Sequence, residues 1–388
     1  MHEEILACPV SKKCGGCQLS NMTYAEQLSF KQAKLIRLLG KMHHVNEIIP
    51  SPRRLHYRNK VQAAFGRTKS GMIISGVYQS STHRIVKSDF CLIEDETADA
   101  IIVTVRDLLK SFGLTVYDEN TGKGFLRHVL VKRAFSTGEI MVVLVTGTPV
   151  FKSKNDFCAE LLRRHPGITT IIQNINDRFT SLVLGEKETV LYGNGYITDI
   201  LCGVKFRISS RSFYQVNRDC AEMMFQKALE YADLSGKERI IDAYSGVGTI
   251  GLIAASKAKE VISIELNRDA VQDAKMNARL NGITNVRFYC ADATDFLVEM
   301  AAAKEKADLV IMDPPRAGST VKFMKSVVSL SPEKILYISC NPETLARDLT
   351  YFLKKQYRIK RCQPFDMFPF TEHVETVVMM EKVSNKQR

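Results

Sequence analysis

The chain lacks any apolar run approaching the roughly 20 residues that a membrane-spanning helix needs, so no membrane partner is expected. Its first residues, Met1-His2-Glu3-Glu4, carry acids and no apolar stretch, so a secretory leader is not expected either. Internal repeats and low-complexity segments are missing, which sets aside a repeat architecture. Disulfide scaffolding is excluded too: ten cysteines among 388 residues are too few for such a framework. A cytoplasmic protein with metal-binding or reactive thiols fits that cysteine usage. Nothing in the sequence calls for an obligate protein partner.

What is present is the composition of a soluble globular protein, with 45% hydrophobic and 25% charged residues, and a length that suits two or three domains. Lys and Arg number 54 against 42 Asp and Glu, a net charge of +12. Such a surplus favours a polyanionic partner, although ordinary solubilising charge would look the same. The motifs have to decide.

Residues 22–40 read as one amphipathic helix, with Thr23 and Glu26 as a capping box and Gly40 as its stop. Residues 52–200 hold alternating runs such as Val129–Arg133 and Ile140–Val145, the pattern of an antiparallel-rich α+β domain. That region also carries Arg53, Arg54, Arg58, Lys60, Arg67, Lys69, Arg84, Lys87, Arg127, Lys132 and Arg133. After residue 210 the pattern changes to strands alternating with helices. Strands are expected at 240–244, 261–265, 286–289, 309–313, 334–340, 357–364 and 374–381, with a helix at 268–281. This spacing implies an α/β fold with a mostly parallel, doubly wound sheet.

Four motifs fall at strand ends in this second half. The first is Asp242-Ala-Tyr-Ser-Gly246-Val-Gly248-Thr-Ile-Gly251, a glycine turn that lets the backbone approach a ligand at a helix N-terminus. Glu265 ends the next strand, where a carboxylate can hold the ribose hydroxyls of a nucleoside, in NAD or in S-adenosylmethionine. An acid before the glycines, Asp242, tilts towards the methyl donor, because it faces a cation and would repel a pyrophosphate. Asp292 follows the third strand, where an acid can accept from an adenine amino group. For Asp242 or Asp292 alone, a helix-cap or turn role is the simpler explanation.

The second motif, Asp313-Pro-Pro-Arg316-Ala-Gly318, is a stiff loop after an apolar strand. The third, Ser339-Cys340-Asn-Pro-Glu-Thr-Leu-Ala-Arg-Asp348, sets Cys340 before a helix, a position expected to lower a thiol pKa and favour the nucleophilic thiolate. Cys158, Cys202, Cys220, Cys290 and Cys362 are read instead as small buried hydrophobes. In the fourth, Phe368–Val378, Glu375 at the mouth of an apolar strand is a candidate general base, with Glu372 and His373 as rivals. Tyr244, Glu265, Asp313 and Cys340 would all lie at carboxyl ends of successive parallel strands, the edge where doubly wound sheets bind ligands. Separately, Cys8-x5-Cys14-x2-Cys17 with the distant Cys91 suits a four-thiolate site, for zinc or an iron–sulfur cluster.

Together these residues resemble the RNA uracil-5-methyltransferase family, over nearly the whole chain. The most specific parts are the Ser-Cys340 motif, Asp-Met-Phe-Pro before Glu375, and Ser212-Phe-Tyr-Gln215-Val-Asn217. The resemblance implies a Rossmann-like class I S-adenosylmethionine-dependent methyltransferase domain at 209–388 and a central RNA-binding α+β domain at 52–208. It further implies a helix at 20–51 packing on the catalytic domain and an iron–sulfur segment at 1–19, both domains being discontinuous. Gln215, Tyr244, Gly246, Thr249, Glu265, Asp292 and Asp313 would bind the methyl donor. Cys340 would add to C6 of a uracil and Glu375 would take the C5 proton. Cys8, Cys14, Cys17 and Cys91 look like the [4Fe–4S] ligands of the ribosomal-RNA members, which favours 23S ribosomal RNA over transfer RNA as substrate. With the cysteine motif beginning at Cys8, the N-terminal oligonucleotide-binding barrel found in many members is not expected, and Ser245 stands where relatives often carry Cys. An NAD-dependent dehydrogenase would leave Cys340, Asp313-Pro-Pro and the cysteine group unexplained. A non-catalytic iron–sulfur RNA-binding protein would not need both Cys340 and Glu375.

Overall fold

A computed structural model describes residues 5, 8–79, 82 and 84–383. Met1–Glu4, read above against a leader, lie outside the described residues. After a single helical turn, α1 (Ser11–Cys14), comes α2 (Tyr24–Leu39). Its start is the capping box read from the sequence: Glu26 N–H donates to Thr23 Oγ1 at 3.3 Å, and Thr23 N–H to Glu26 Oε2 at 2.8 Å.

The central region runs β1 (Lys60–Arg67), β2 (Ile73–Tyr78), β3 (Ile85–Lys87), α3 (Glu96–Ser111), β4 (Leu126–Arg133), β5 (Ile140–Thr146), α4 (Lys154–Arg164), β6 (Ile168–Ile175) and β7 (Lys187–Tyr192). These strands form one sheet in the order β3-β2-β1-β4-β5-β6-β7. Every pairing is antiparallel except β5 with β6, which α4 connects. Strands β4 and β5 are buried on both faces, which explains their unbroken apolar runs. One face carries α3 and α4. Residues of the other face, among them Leu130, Met141 and Val143, join a core that continues into the second half of the chain.

A hairpin, β8 (Ile197–Leu201) and β9 (Val204–Ile208), leads into that half. There follow α5 (Arg218–Ala232), β10 (Arg239–Ala243), α6 (Thr249–Ala255), β11 (Glu260–Glu265), α7 (Arg268–Leu280), β12 (Val286–Cys290), α8 (Ala293–Ala302) and β13 (Leu309–Met312). The chain closes with α9 (Val321–Leu330), β14 (Lys334–Ser339), α10 (Pro342–Leu353), β15 (Tyr357–Phe365) and β16 (Glu375–Lys382). The sheet order is β12-β11-β10-β13-β14-β16-β15. Strands β10 to β14 are parallel, as the spacing implied; β16 runs antiparallel between β14 and β15.

Alternate residues of each strand enter different cores. Ile240, Ile311 and Ile338 pack with α5 and α6, whereas Ile241, Val310 and Tyr337 pack with α8, α9 and α10. Two helical layers on one sheet is the doubly wound arrangement. Leu35 and Leu39 of α2 belong to the second of these cores. The same stripe of α2 carries Gln27 and Lys31. Lys31 is fully buried and meets the equally buried Asp366 at 2.5 Å, while also donating to Phe368 O at 3.0 Å.

Several basic residues expected at an RNA surface prove to be part of the frame. Arg127 is buried, pairs with Glu119 at 3.0 Å and donates to the carbonyls of Asn176 and Arg178. Lys132 is buried beside the β8–β9 exit, and Arg133 pairs with Asp95 at 2.7 Å. The cysteine readings also divide: Cys158, Cys220 and Cys362 are buried, but Cys202 is only half-buried and Cys290 is exposed at a strand end.

Removing one partner of a buried ion pair leaves the other charge uncompensated. Lys31→Met should therefore cost about 3–5 kcal/mol in denaturant unfolding, and Lys31→Met with Asp366→Leu together should cost less.

Candidate active site

The parallel strands end along one edge, in the order β12, β11, β10, β13, β14. Strand order reverses at β10, so the crevice for a ligand opens above its carboxyl end. The turn there is held by the acids before and after it. Asp242 is buried beneath the turn, where Oδ2 accepts from Gly251 N–H at 2.9 Å. A Cβ on Gly251 would come 2.7 Å from that oxygen, which is why glycine is required. Asp242 therefore supports the loop from below. Burial pushes it up to about 7, the Gly251 N–H opposes this, and Asp313 and Glu265 add to it.

Glu265 Oε2 accepts from Gly246 N–H at 2.9 Å and Oε1 from Asn267 N–H at 2.8 Å, so its carboxylate ties the glycine turn to the end of β11. Tyr244 has a left-handed backbone (φ 65°) and its ring packs on Phe323, 5.1 Å between centroids. Gly246 also has positive φ, and Thr249 opens α6. Asp292 is exposed and caps α8, accepting from Thr294 N–H at 2.8 Å and Asp295 N–H at 3.1 Å. Asp242 and Asp292 thus fill the structural roles weighed above, and both capping bonds of Asp292 fall on Oδ1.

The other half of the crevice is formed by the loops after β13 and β14 and by the start of β16. Register fixes one juxtaposition. Ser339 pairs with Thr376, and one residue further along each strand lie Cys340 and Glu375. Glu375 is buried, Glu372 is exposed, and His373 is half-buried, so burial separates Glu375 from its rivals. Burial and the charge of Asp313 push Glu375 up to about 8, against the pull of Arg316. Asp313 is itself pushed up to about 7 by burial.

Cys340 departs from expectation. Burial raises its thiol to about 11, helped by Glu375 and Asp313; Arg316 and a backbone N–H pull the other way without prevailing. The helix behind it is present, with Asn341 as its N-cap. Burial is the largest cause of the rise, and the two carboxylates add to it.

Sequence reasoning named the Asp-Pro-Pro loop and the Cys340 motif but missed how they are joined. Asn341 Nδ2 donates to Arg316 O at 3.0 Å, and Arg347 donates to the carbonyls of Ala317 and Ser319, each at 3.0 Å. Asp348 is fully buried, and its Oδ2 accepts from Ser319 N–H at 2.8 Å and Tyr337 O–H at 2.7 Å. An arginine and an aspartate side by side late in the Cys340 motif were the available signal. Gln215, half-buried, lies on the segment between β9 and α5, its carbonyl accepting from Asn59 Nδ2 at 3.0 Å.

The cysteine group lies elsewhere. Cys17 and Cys91 both pack on a small cluster of Tyr57, Ile93 and Phe370, and burial raises the Cys17 thiol to about 11, with Cys14 and Cys8 adding to the rise. Among the described residues, no set of three or more His, Cys, Asp or Glu is arranged to hold a metal ion.

Comparison with known proteins adds the following. The model of the family described as tRNA (uracil-5-)-methyltransferase matches residues 182–383. An uncharacterized RNA methyltransferase of Halalkalibacterium halodurans is 40% identical over 379 residues, covering 96% of this chain and 82% of the relative. One from Clostridium tetani is 41% identical over 385 residues, covering 98% and 84%. Among solved structures, the Pyrococcus abyssi tRNA (uracil-54, C5)-methyltransferase in complex with S-adenosyl-L-homocysteine is 29% identical, with a TM-score of 0.79 over 97% of this chain and 87% of that one.

Because the thiol is raised to about 11, alkylation of Cys340 by iodoacetamide should still be accelerating at about pH 10. Glu375→Gln removes a neighbouring negative charge, so the rise should move to lower pH and Cys340 should react faster at about pH 9. Mass spectrometry of the modified peptide reads both; an unshifted profile would mean that Glu375 does not act on the thiol.

Proposed function

This chain belongs to the tRNA (uracil-5-)-methyltransferase family, and on that premise we propose that it methylates C5 of a uridine in RNA through a covalent adduct to Cys340. The observation that carries this reading is the meeting of Cys340 and Glu375 one step past the Ser339–Thr376 pair, with Asp313 and Arg316 acting on both. S-adenosylmethionine supplies the methyl group, at the crevice of Gln215, Tyr244, Gly246, Thr249, Glu265, Asp292 and Asp313.

Uracil C5 is a weak nucleophile. The Cys340 thiol first gives its proton to water, and Sγ then bonds to C6, which places enolate charge at C5. C5 takes the methyl group, and the donor leaves as S-adenosylhomocysteine. The Glu375 carboxylate removes the C5 proton, the Sγ–C6 bond breaks, and 5-methyluridine and the cysteine are released. Burial and Asp313 let Glu375 hold its proton up to about 8. A cationic sulfonium close to Glu375 and Asp313 favours their ionised forms, so donor binding would ready the base. Arg316 is read as the group that holds a phosphate or a uracil carbonyl. C6 is reached only in an unstacked base, so a single-stranded or flipped uridine is the substrate.

For the RNA, 23S ribosomal RNA is the first reading, on the strength of Cys8, Cys14, Cys17 and Cys91. Four thiols are the donor set of a [4Fe–4S] cluster, and Cys17 and Cys91 share one apolar cluster. A bound cluster would tie the first residues to the Cys91 loop. Transfer RNA is the second reading, favoured by the structural likeness to the Pyrococcus abyssi enzyme.

The test joins chemistry to substrate. Mass mapping of 5-methyluridine in cells with and without the gene should show loss at a 23S uridine; loss in transfer RNA alone would select the second reading. RNA carrying 5-fluorouridine at that position should trap a covalent adduct, because fluorine cannot leave as a proton. Cys340→Ala should lose both adduct and turnover, and full turnover by that variant would sink the mechanism. Protein purified anaerobically should contain about four irons and four sulfides per chain, lost in Cys91→Ser; an iron-free wild-type protein would remove the cluster and with it the preference for ribosomal RNA.

A further inference from the structure

The segment from Ser209 to Asn217 is the chain's passage from the β8–β9 hairpin to α5, and it is gripped from two sides. From the central sheet, Lys132 Nζ donates to Ser209 O and Ser212 O, both at 2.8 Å. From α7 of the second half, Asp273 Oδ2 accepts from the hydroxyls of Ser209 at 2.9 Å and Ser212 at 2.6 Å. Ser212 Oγ also accepts from Ser209 N–H at 2.8 Å, which closes the turn on itself. Further along, Asn59 holds the other end: its side chain donates to Gln215 O at 3.0 Å and its N–H to Val216 O at 2.9 Å. Asn217 then caps α5 and donates to Met367 O at 2.9 Å.

Lys132 is unusual within this set. It is buried, and its hydrogen-bond partners among the described residues are carbonyls. Burial and the nearby Lys60 push its ammonium down to about 7, with Asp273 and Glu188 opposing them. A lysine is poorly suited to such a site unless its donors are needed where they are. What they fix is the turn three residues before Gln215.

We propose that Lys132, a residue of the central sheet, is a positioning residue for the methyl-donor crevice: by holding the Ser209–Ser212 turn it sets where Gln215 stands. The inference rests on the reading of Gln215 as a donor-site residue. It gives the central sheet a second task besides contact with RNA, because a side chain of β4 then governs affinity for a ligand bound at the other sheet.

The experiment measures S-adenosylhomocysteine binding by calorimetry without RNA, together with steady-state methylation and RNA binding, on the full chain. Lys132→Met should weaken S-adenosylhomocysteine binding about ten-fold and raise KM for the methyl donor in proportion, with kcat and RNA affinity within about two-fold of wild type. A folded Lys132→Met with unchanged S-adenosylhomocysteine affinity would reduce Lys132 to a structural lysine and overturn the proposal. Loss of RNA affinity with donor binding intact would overturn it as well, by making Lys132 an RNA contact. If Lys132→Met does not fold, Ser212→Ala, which removes one of the two hydroxyls that tie the same turn to Asp273 and the oxygen that closes the turn on Ser209 N–H, should give the same KM-selective effect; its failure to do so is equally adverse. Gln215→Ala separates this inference from its premise. If Gln215→Ala leaves donor binding intact, the assignment of Gln215 falls; if it weakens binding and Lys132→Met and Ser212→Ala do not, only the present proposal falls.

Discussion

A parallel sheet brings only the carboxyl ends of its strands to the ligand edge, and the amino end of a strand reaches that edge only when the strand is reversed. β16 is reversed. It runs antiparallel between β14 and β15, so its first residue arrives where β14 finishes. The thiol after β14 and the carboxylate opening β16 therefore meet, although 35 residues separate them in sequence. Most of the site's electrostatics follows from this reversal. It buries Glu375 beside Asp313 and Cys340, and in that poorly solvated corner all three groups hold their protons more tightly than in water.

Loops at a sheet edge are mobile unless something fixes them, and here the fixing is done by buried polar groups. Asp348 and Arg347 hold the Asp-Pro-Pro loop against α10. Lys31 and Asp366 hold α2 against the segment that leads to Glu375. Lys132 and Asp273 hold the turn before Gln215. Each group is costly to bury alone and is retained with its partners in place. The common consequence is that the loops at the crevice are fixed by residues remote from them in sequence.

The basic surplus looks different in three dimensions. Arg127, Lys132 and Arg133 count towards the net charge, yet their donors are turned to backbone carbonyls and internal acids. A cation in a strand reads the same in sequence whether it faces solvent or the next element. The apolar face of α2 shows the same limit: Gln27 and Lys31 occupy the stripe with Leu35 and Leu39, and only the position of Asp366 explains why a lysine is tolerated there.

Much of this protein was determined by sequence alone. Periodicity placed the strands β10 to β16 and the helix α2, because strands buried on both faces, as most of these are apart from the edge strand β12, and a capped amphipathic helix each leave a local pattern. The glycine turn, the Asp-Pro-Pro loop and the Cys340 motif stood out as candidates because chemistry at a strand end needs particular residues in short order, whereas Glu375 had Glu372 and His373 as rivals until burial set it apart. Tertiary structure alone decided the rest. The sequence could not show that Asp242 supports the turn from below, that Asp292 caps α8, or that burial raises the Cys340 thiol. Burial and proximity between distant segments set those outcomes, and neither quantity is written in any local run of residues.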